Sequence, residues 1–168
     1  MQIKDYAVAM AAYNAWMNEK VYACAAELSD AERKRDLGAF FKSIHRTLNH
    51  ILLGDQAWLQ RFRDQPVTMA SPSEQLHAEF GQLWAARRSM DREISTWADG
   101  LIDDFADRPL AFYSVTYKRN RVVPGWVAIA HLFNHQTHHR GQVTTLLRQL
   151  GKDSGVTDLP WMPALDEP

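Results

Sequence analysis

Apolar side chains recur along the chain at the three- and four-residue spacings that place them on one face of an α-helix. A first helix is predicted from about residue 2 to residue 28, where neither glycine nor proline interrupts the pattern. A second helix is predicted over about 39–62, with Asp55 on the same face as the apolar residues. The apolar positions of the two segments are Tyr6, Met10, Tyr13, Met17, Val21 and Leu28, then Phe41, Ile44, Leu48, Leu52, Leu59 and Phe62.

Two more helices follow, and both have boundary signals. Ser71 followed by Pro72 is typical of a helix start, because serine caps the first turn and proline fits its first position. The third helix is therefore predicted over about 72–98. The fourth begins at Pro124 and ends one residue before Gly151, since glycine readily adopts the left-handed conformation that follows a helix.

The segment before the last helix has a different pattern. The run from Phe112 to Tyr117 is rich in β-branched and aromatic residues, and the polar stretch from Lys118 to Arg121 predicts a turn. We interpret it as a long crossover loop or a short hairpin. Four helices without a dividing linker predict an all-α fold, a single four-helix-bundle domain over residues 1–168.

Composition and charge narrow the class of protein. The 168 residues are 46% hydrophobic and 23% charged, as in globular domains. The net charge of −1 argues against nucleic-acid binding by phosphate neutralisation, and no apolar stretch is long enough for a membrane helix. The N-terminus has no signal-peptide pattern, and a single cysteine, Cys24, cannot form an intramolecular disulfide. We expect a soluble cytoplasmic protein that binds neither nucleic acid nor membrane.

Four of the seven histidines lie within nine positions of the last predicted helix. At about 100° per residue, the apolar residues of this helix fall within an arc of about 60°. His135 and His139 lie at or inside the edge of that arc, whereas His131 and His138 fall outside it. The inward pair is about one turn apart, so the two imidazoles could bind one metal ion. Each could equally be a core histidine with one hydrogen bond, and the spacing does not decide between these interpretations.

A divalent ion held by two histidines needs a third ligand from another helix. The remaining candidates are His45, His50 and His77. His45 borders the apolar stripe, as a packing residue would, whereas His50 shares a strip of small residues that could line a cavity or admit a close neighbour. Periodicity leaves the choice among them open. The small residues are Ser43, Thr47, Gly54 and Ala57.

Three blocks of residues resemble, in order and spacing, the DinB (damage-inducible) family. They are YNAW at 13–16 with Asn18, the block 41–59 that contains FKSIHRTLNHI and DQAWL, and HLFNHQTHHRGQ at 131–142. The last block is the most specific, and the similarity covers nearly the whole chain. The resemblance implies a DinB-like four-helix bundle, frequently a homodimer, with a three-histidine site for a divalent metal ion, usually nickel or zinc. The family's ligands fall on His50, His135 and His139.

The resemblance does not specify a reaction. The wider superfamily includes thiol S-transferases that use bacillithiol or mycothiol, as well as hydrolases and isomerases. We expect a metal-dependent transferase or hydrolase acting on a small molecule, with a low-molecular-weight thiol as a candidate cofactor, because three histidines leave coordination positions open. The alternative is a non-catalytic stress-response dimer with a structural ion. DNA binding, suggested by the family name, is opposed by the balanced charge.

The sequence leaves the catalytic residues unassigned. Asp55, Tyr13 and Tyr117 are candidates for acid–base catalysis, and Asp55 could equally cap a helix or pair with an arginine. Cys24 has no activating neighbour in its helix, so we interpret it as a small buried residue rather than a nucleophile.

Overall fold

Helices make up most of residues 2–165, the part of the chain that the computed structural model describes; residue 1 and residues 166–168 of the predicted domain lie outside it. The helices are α1 (Ile3–Ala26), α2 (Asp30–Lys34), α3 (Ile44–Phe62), α4 (Phe80–Asp99) and α5 (Gly125–Gln149). Between α4 and α5 lie a 3₁₀ turn and two antiparallel strands, β1 (Pro109–Ser114) and β2 (Arg119–Pro124). The chain is therefore mostly helical, and the two-stranded sheet corrects the all-α description.

Each long helix packs against two others, in the ring order α1, α4, α3, α5. The chain passes from α1 to α3 through the short helix α2, and from α4 to α5 through the hairpin. Each of these two connections therefore joins long helices that lie across the ring from each other, α1 with α3 and α4 with α5. Within residues 2–165, no helix is long and apolar enough to cross a membrane.

The hairpin predicted as one of two possibilities before the last helix is present, but its turn lies at 115–118, earlier than the polar residues suggested. Of those residues, Arg119 to Arg121 belong to β2, where Arg121 lies opposite Phe112 and Arg119 lies opposite Ser114. Lys118 closes the turn with φ of 50°, in the left-handed region. Since side chains alternate along a strand, these four residues share one face of the hairpin.

The helix α3 begins at Ile44 rather than near residue 39. The preceding residues form a tight turn instead, in which the Lys42 N–H donates to the Ala39 carbonyl at 2.7 Å. Ser43 then caps the helix through its hydroxyl oxygen, as serine commonly does. Phe41 consequently lies in the turn and not on the helical face where the periodicity had placed it.

The helix α4 begins at Phe80 rather than near residue 72, and the capping signal there produces only a single turn. The backbone before α4 is hydrogen-bonded to side chains of α3 instead. The His77 N–H donates to Asn49 Oδ1 at 2.9 Å, and the Pro72 carbonyl accepts from His50 Nδ1 at 2.7 Å. These long-range bonds satisfy backbone groups that a helix would otherwise pair locally.

Two apolar clusters fill the interior, one toward each end of the long helices. Between them lies a layer of buried polar side chains, here called the polar layer, to which all four long helices contribute. Its two carboxylates and two guanidinium groups balance in charge. The members are Asn14 and Asn18 from α1, Asp55 from α3, Arg87 and Asp91 from α4, and Gln136 and Arg140 from α5.

Arg87 is the centre of the polar layer and is 1% exposed. Its guanidinium forms ion pairs with Asp55 across to α3 and with Asp91 along α4, the latter at 2.9 Å. The Asn18 amide also donates to Asp91 at 2.9 Å. Burial raises the pKa of Asp55 to about 6 against the opposing effect of Arg87, so this carboxyl group is still ionised at neutral pH.

Candidate metal centre

His50 lies on the interior side of α3 and is 9% exposed, and a hydrogen bond to a backbone carbonyl holds its ring in place. Its Nδ1 lies 2.7 Å from the Pro72 carbonyl oxygen, which can only accept a hydrogen bond. Nδ1 must therefore carry the proton, and Nε2 keeps a free lone pair. Phe41 stacks on the imidazole with ring centroids 3.9 Å apart and closes this side of the site. The periodicity gave no indication of that contact, because Phe41 reaches the site from the turn before α3.

His135 and His139 extend from successive turns of α5, with ring centroids 4.5 Å apart. His139 Nδ1 lies 2.8 Å from the side-chain oxygen of Gln142, which fixes the proton on Nδ1 and leaves Nε2 free. The Gln142 amide nitrogen is in turn 3.3 Å from His138 Nε2. His138 thus supports the site from outside, in keeping with its position outside the helical arc.

The three side chains His50, His135 and His139 converge, and their ligand nitrogens all lie within 4.8 Å of one another. The Nε2 atoms of His50 and His135 are 3.1 Å apart. Two nitrogens bound to one tetrahedral zinc ion at 2.0–2.1 Å would be about 3.3 Å apart, so this spacing fits a shared ion. Two of the three rings also donate their outer N–H to an oxygen, as metal-bound histidines generally do. The residues present therefore fit a divalent metal ion.

Burial keeps these imidazoles neutral. It lowers the pKa of His50 to about 4 and that of His135 to about 3, and in His135 the neighbouring His139 and His50 lower it further. The pKa of His139 is lowered as well, chiefly by burial. Neutral imidazole is the form that binds metal, so the triad is ready to bind an ion at pH 7 without losing protons.

Gly54 explains how α5 approaches α3 so closely. The His135 ring lies directly against this glycine, one turn beyond His50, and a Cβ atom here would be 2.8 Å from His135 Cε1. The strip of small residues beside His50 therefore admits a close neighbour, one of the two roles proposed for it above.

Gly54→Ala is expected to weaken zinc binding by about tenfold or more, because the new methyl group forces the His135 ring away from His50. Gly141→Ala is the matched control, since it also removes a glycine from within a long helix but its Cβ would meet no atom within 4 Å. Isothermal titration with zinc compares the two variants, and equal affinities would contradict the close approach.

A cavity of about 830 Å³ lies beside the three histidines, all of which line it. Its other walls come from α3, the hairpin, α5 and the segments that precede α3 and α4, and they are mainly apolar and aromatic. His131 and His138 also line the cavity, so the two histidines outside the helical arc border the site without joining the triad. The aromatic and apolar residues of the wall include Phe41, Trp58, Met69, Phe112, Val123 and Val127.

The other histidines considered as third ligands are used elsewhere. His45 is 1% exposed, and its Nε2 donates to the His77 carbonyl at 2.9 Å, as expected of a packing residue. His77 contributes this carbonyl and its N–H to α3 through its backbone, not its ring. Among the described residues, His50, His135 and His139 are the only group of three or more metal-binding side chains whose ligand atoms come together.

The candidates for acid–base catalysis separate in the structure. Asp55 pairs with Arg87 in the polar layer and does not line the cavity. Tyr13 donates to the Thr157 carbonyl at 2.5 Å, whereas the exposed Tyr117 borders the cavity from the hairpin turn. Cys24 is buried, and burial raises the pKa of its thiol, as expected of a structural residue.

Comparison with known proteins identifies relatives of this architecture. A family profile described as the DinB family matches residues 1–168. The protein named Protein DinB from Bacillus subtilis (strain 168) is 26% identical over an alignment of 169 positions, which covers 93% of this chain and 92% of that protein. The crystal structure of a DinB-like protein from Bacillus cereus ATCC 10987 superposes with a TM-score of 0.63 at 18% identity, covering 83% of this chain and 89% of the other. The latter similarity concerns the fold.

Proposed function

Because the chain belongs to the DinB family, we propose that His50, His135 and His139 bind one divalent metal ion and that the ion serves in a transferase or hydrolase reaction on a small molecule. The observation that carries this proposal is the position of the triad in the wall of the cavity. A purely structural ion needs no such access to a space of ligand size.

The surrounding residues prepare the triad for this role. The Pro72 carbonyl and the Gln142 side chain hold the outer nitrogens of His50 and His139, so that their Nε2 atoms face the shared position. A bound nickel or zinc ion would lower the pKa of a water molecule or thiol in an open coordination position. No carboxylate of the described residues lines the cavity. The imidazoles of His131 and His138 and the hydroxyl of Tyr117 do line it, and these groups could exchange a proton there.

We propose that residues 1–168 form one DinB-like domain in which the four long helices constitute the bundle, supported by the packing of each long helix against two others. The homodimer, the cytoplasmic location and the low-molecular-weight thiol cofactor stay predictions of the sequence and the family resemblance.

Elemental analysis of untagged protein purified without chelator tests metal binding. We expect about one equivalent of nickel or zinc per chain, since one triad offers one site. A screen for thiol conjugation and hydrolysis, with and without the metal, then tests catalysis. Stoichiometric metal without metal-dependent turnover would favour the alternative of a structural ion in a stress-response dimer, whereas protein that neither retains nor takes up metal would contradict the proposal.

The pH dependence of metal binding is expected to reflect the buried histidines. The ordinary pKa of about 6.5 predicts an affinity that falls steeply below about pH 6. Because burial lowers the pKa of His50 to about 4 and that of His135 to about 3, protons compete with the ion only at lower pH, and affinity should hold to about pH 5 before falling.

Calorimetric zinc titrations at pH 7, 6, 5 and 4 test this, with circular dichroism as a control for folding at each pH. That control is needed because acid also lowers the free energy of unfolding of the metal-free protein. Below about pH 6.5 the histidines of the unfolded chain bind protons, whereas the buried histidines of the folded protein do not, so acid favours the unfolded state. A loss of affinity already between pH 7 and pH 6 would contradict the effect of burial, and no loss by pH 4 in folded protein would contradict an all-histidine site.

A further inference from the structure

The charged groups that line the cavity all have the same sign. Three arginines contribute to the wall, and among the described residues no aspartate or glutamate does. The chain as a whole carries slightly more acidic than basic side chains, so this excess of positive charge is local to the cavity. The arginines are Arg61 from α3 and Arg119 and Arg121 from β2.

Arg61 is the most informative of the three because it is partly buried without a counter-charge. Its guanidinium lies over the Trp58 ring at 4.7 Å and the Phe112 ring at 4.9 Å. Its Nε is buried with no hydrogen-bond partner, and none of the ion pairs among the described residues includes Arg61. The pKa of Arg61 is accordingly lowered by burial. Holding a guanidinium in this position costs free energy that an anion in the cavity would recover.

The two other arginines approach the same space from the hairpin. Arg121 lies opposite Phe112 and Arg119 opposite Ser114, so all four side chains are on the face of the hairpin that borders the cavity. Both arginines are exposed and thus free to reorient toward a ligand. Because the Arg61 guanidinium also lies over the Phe112 ring, Arg61 and the hairpin arginines line the cavity on the side of Phe112.

We propose that the cavity binds small molecules that combine an anionic group with an apolar body. Arg61, assisted by Arg121 and Arg119, would bind a carboxylate, phosphate or sulfonate group, because guanidinium groups recognise these anions through paired hydrogen bonds. The apolar body would lie against Trp58 and Phe112. The cavity volume of about 830 Å³ is within the range for ligands of this size. The anion subsite does not depend on the proposed function. Only the further step, in which the other end of the ligand meets a metal ion at the triad, rests on it.

The test compares a charged and a neutral probe of the same shape, 4-phenylbutanoate and 4-phenylbutanamide, on zinc-loaded protein by isothermal titration. We expect the carboxylate to bind about tenfold or more tightly than the amide, and Arg61→Gln to remove that preference. Arg88→Gln is the matched control, because Arg88 also lies over a tryptophan ring, Trp84, at 4.4 Å but does not line the cavity. Equal binding of the two probes, or a preference that survives Arg61→Gln, would overturn the proposal.

Two further measurements keep the outcomes distinct. Arg121→Gln changes an exposed strand residue, and we expect it to reduce the preference several-fold even if Arg61→Gln proves unstable. Repeating the titration on metal-free protein and on His135→Ala separates the anion subsite from the metal site. If the carboxylate probe still binds more tightly than the amide in the absence of metal, the anion subsite is supported even if metal binding fails. If the preference for the carboxylate is seen only with zinc, the anion binds the ion and the proposed subsite is wrong.

Discussion

His135→Ala is expected to lower the affinity for zinc or nickel by at least about tenfold, equivalent to about 1.4 kcal/mol. His50→Ala and His139→Ala should have effects of similar size, because each removes one of three nitrogens that converge within 4.8 Å. Removing both triad histidines of α5 leaves one imidazole of the triad, so His135→Ala/His139→Ala should eliminate measurable binding. Titration against a competing chelator at pH 7 measures these affinities.

His138→Ala is the control for the histidine variants. It lies next to His139 in the sequence and is exposed, and it borders the site without belonging to the triad. Its Nε2 is 3.3 Å from the Gln142 amide nitrogen, and its ring centroid is 4.8 Å from that of His139. The affinity of the His138→Ala variant for zinc or nickel should remain near that of the unmodified protein. If His138 or His131 proved indispensable while His135 did not, the assignment of the ligands would be wrong.

Arg87→Ala is expected to destabilise the protein by about 3–5 kcal/mol, a large part of the stability of a domain of this size. The substitution leaves Asp55 and Asp91 buried without the guanidinium that pairs with both. Such an uncompensated buried charge is costly because water cannot solvate it. Urea denaturation followed by circular dichroism gives the change in the free energy of unfolding.

Arg88→Ala provides the comparison at the next position of the same helix. Arg88 pairs with Glu19 at the surface, where both side chains are about half exposed. Exposed ion pairs contribute about 0–1 kcal/mol, so this variant should lose little stability. Similar losses in the two variants would contradict the role assigned to the buried pair.

Helical geometry alone indicated that two of the three converging histidines face inward, although it left open whether they bind a metal ion. Leu132 and Val143 define a buried arc on α5, and His135 and His139 lie at its edge, as the structure shows. His50 came only from the family resemblance, because the small residues around it do not indicate which helix packs there. The structure shows that α5 packs there, through the contact between Gly54 and His135, and a contact between residues so far apart in the chain cannot be predicted from local spacing.

The predicted starts of α3 and α4 were wrong for a related reason. Helix-start signals are local, whereas the backbone before α4 is hydrogen-bonded to Asn49 and His50 on α3. The centre of the polar layer could have been found, however. Arg87 and Asp91 follow the three- and four-residue spacing of Leu83 and Ile94, so charged residues at core positions of α4 were visible in the pattern.

The polar layer has a consequence for how the helices align along their lengths. Asp55 directly follows Gly54, and Gln136 and Arg140 directly follow His135 and His139, so the layer and the triad lie at the same height. Sliding a helix by one turn, about 5.4 Å, would carry its charged or amide group into an apolar cluster and break its bonds to the neighbouring helices. The layer thus selects a single register of the long helices, and in that register the histidines of α3 and α5 face each other.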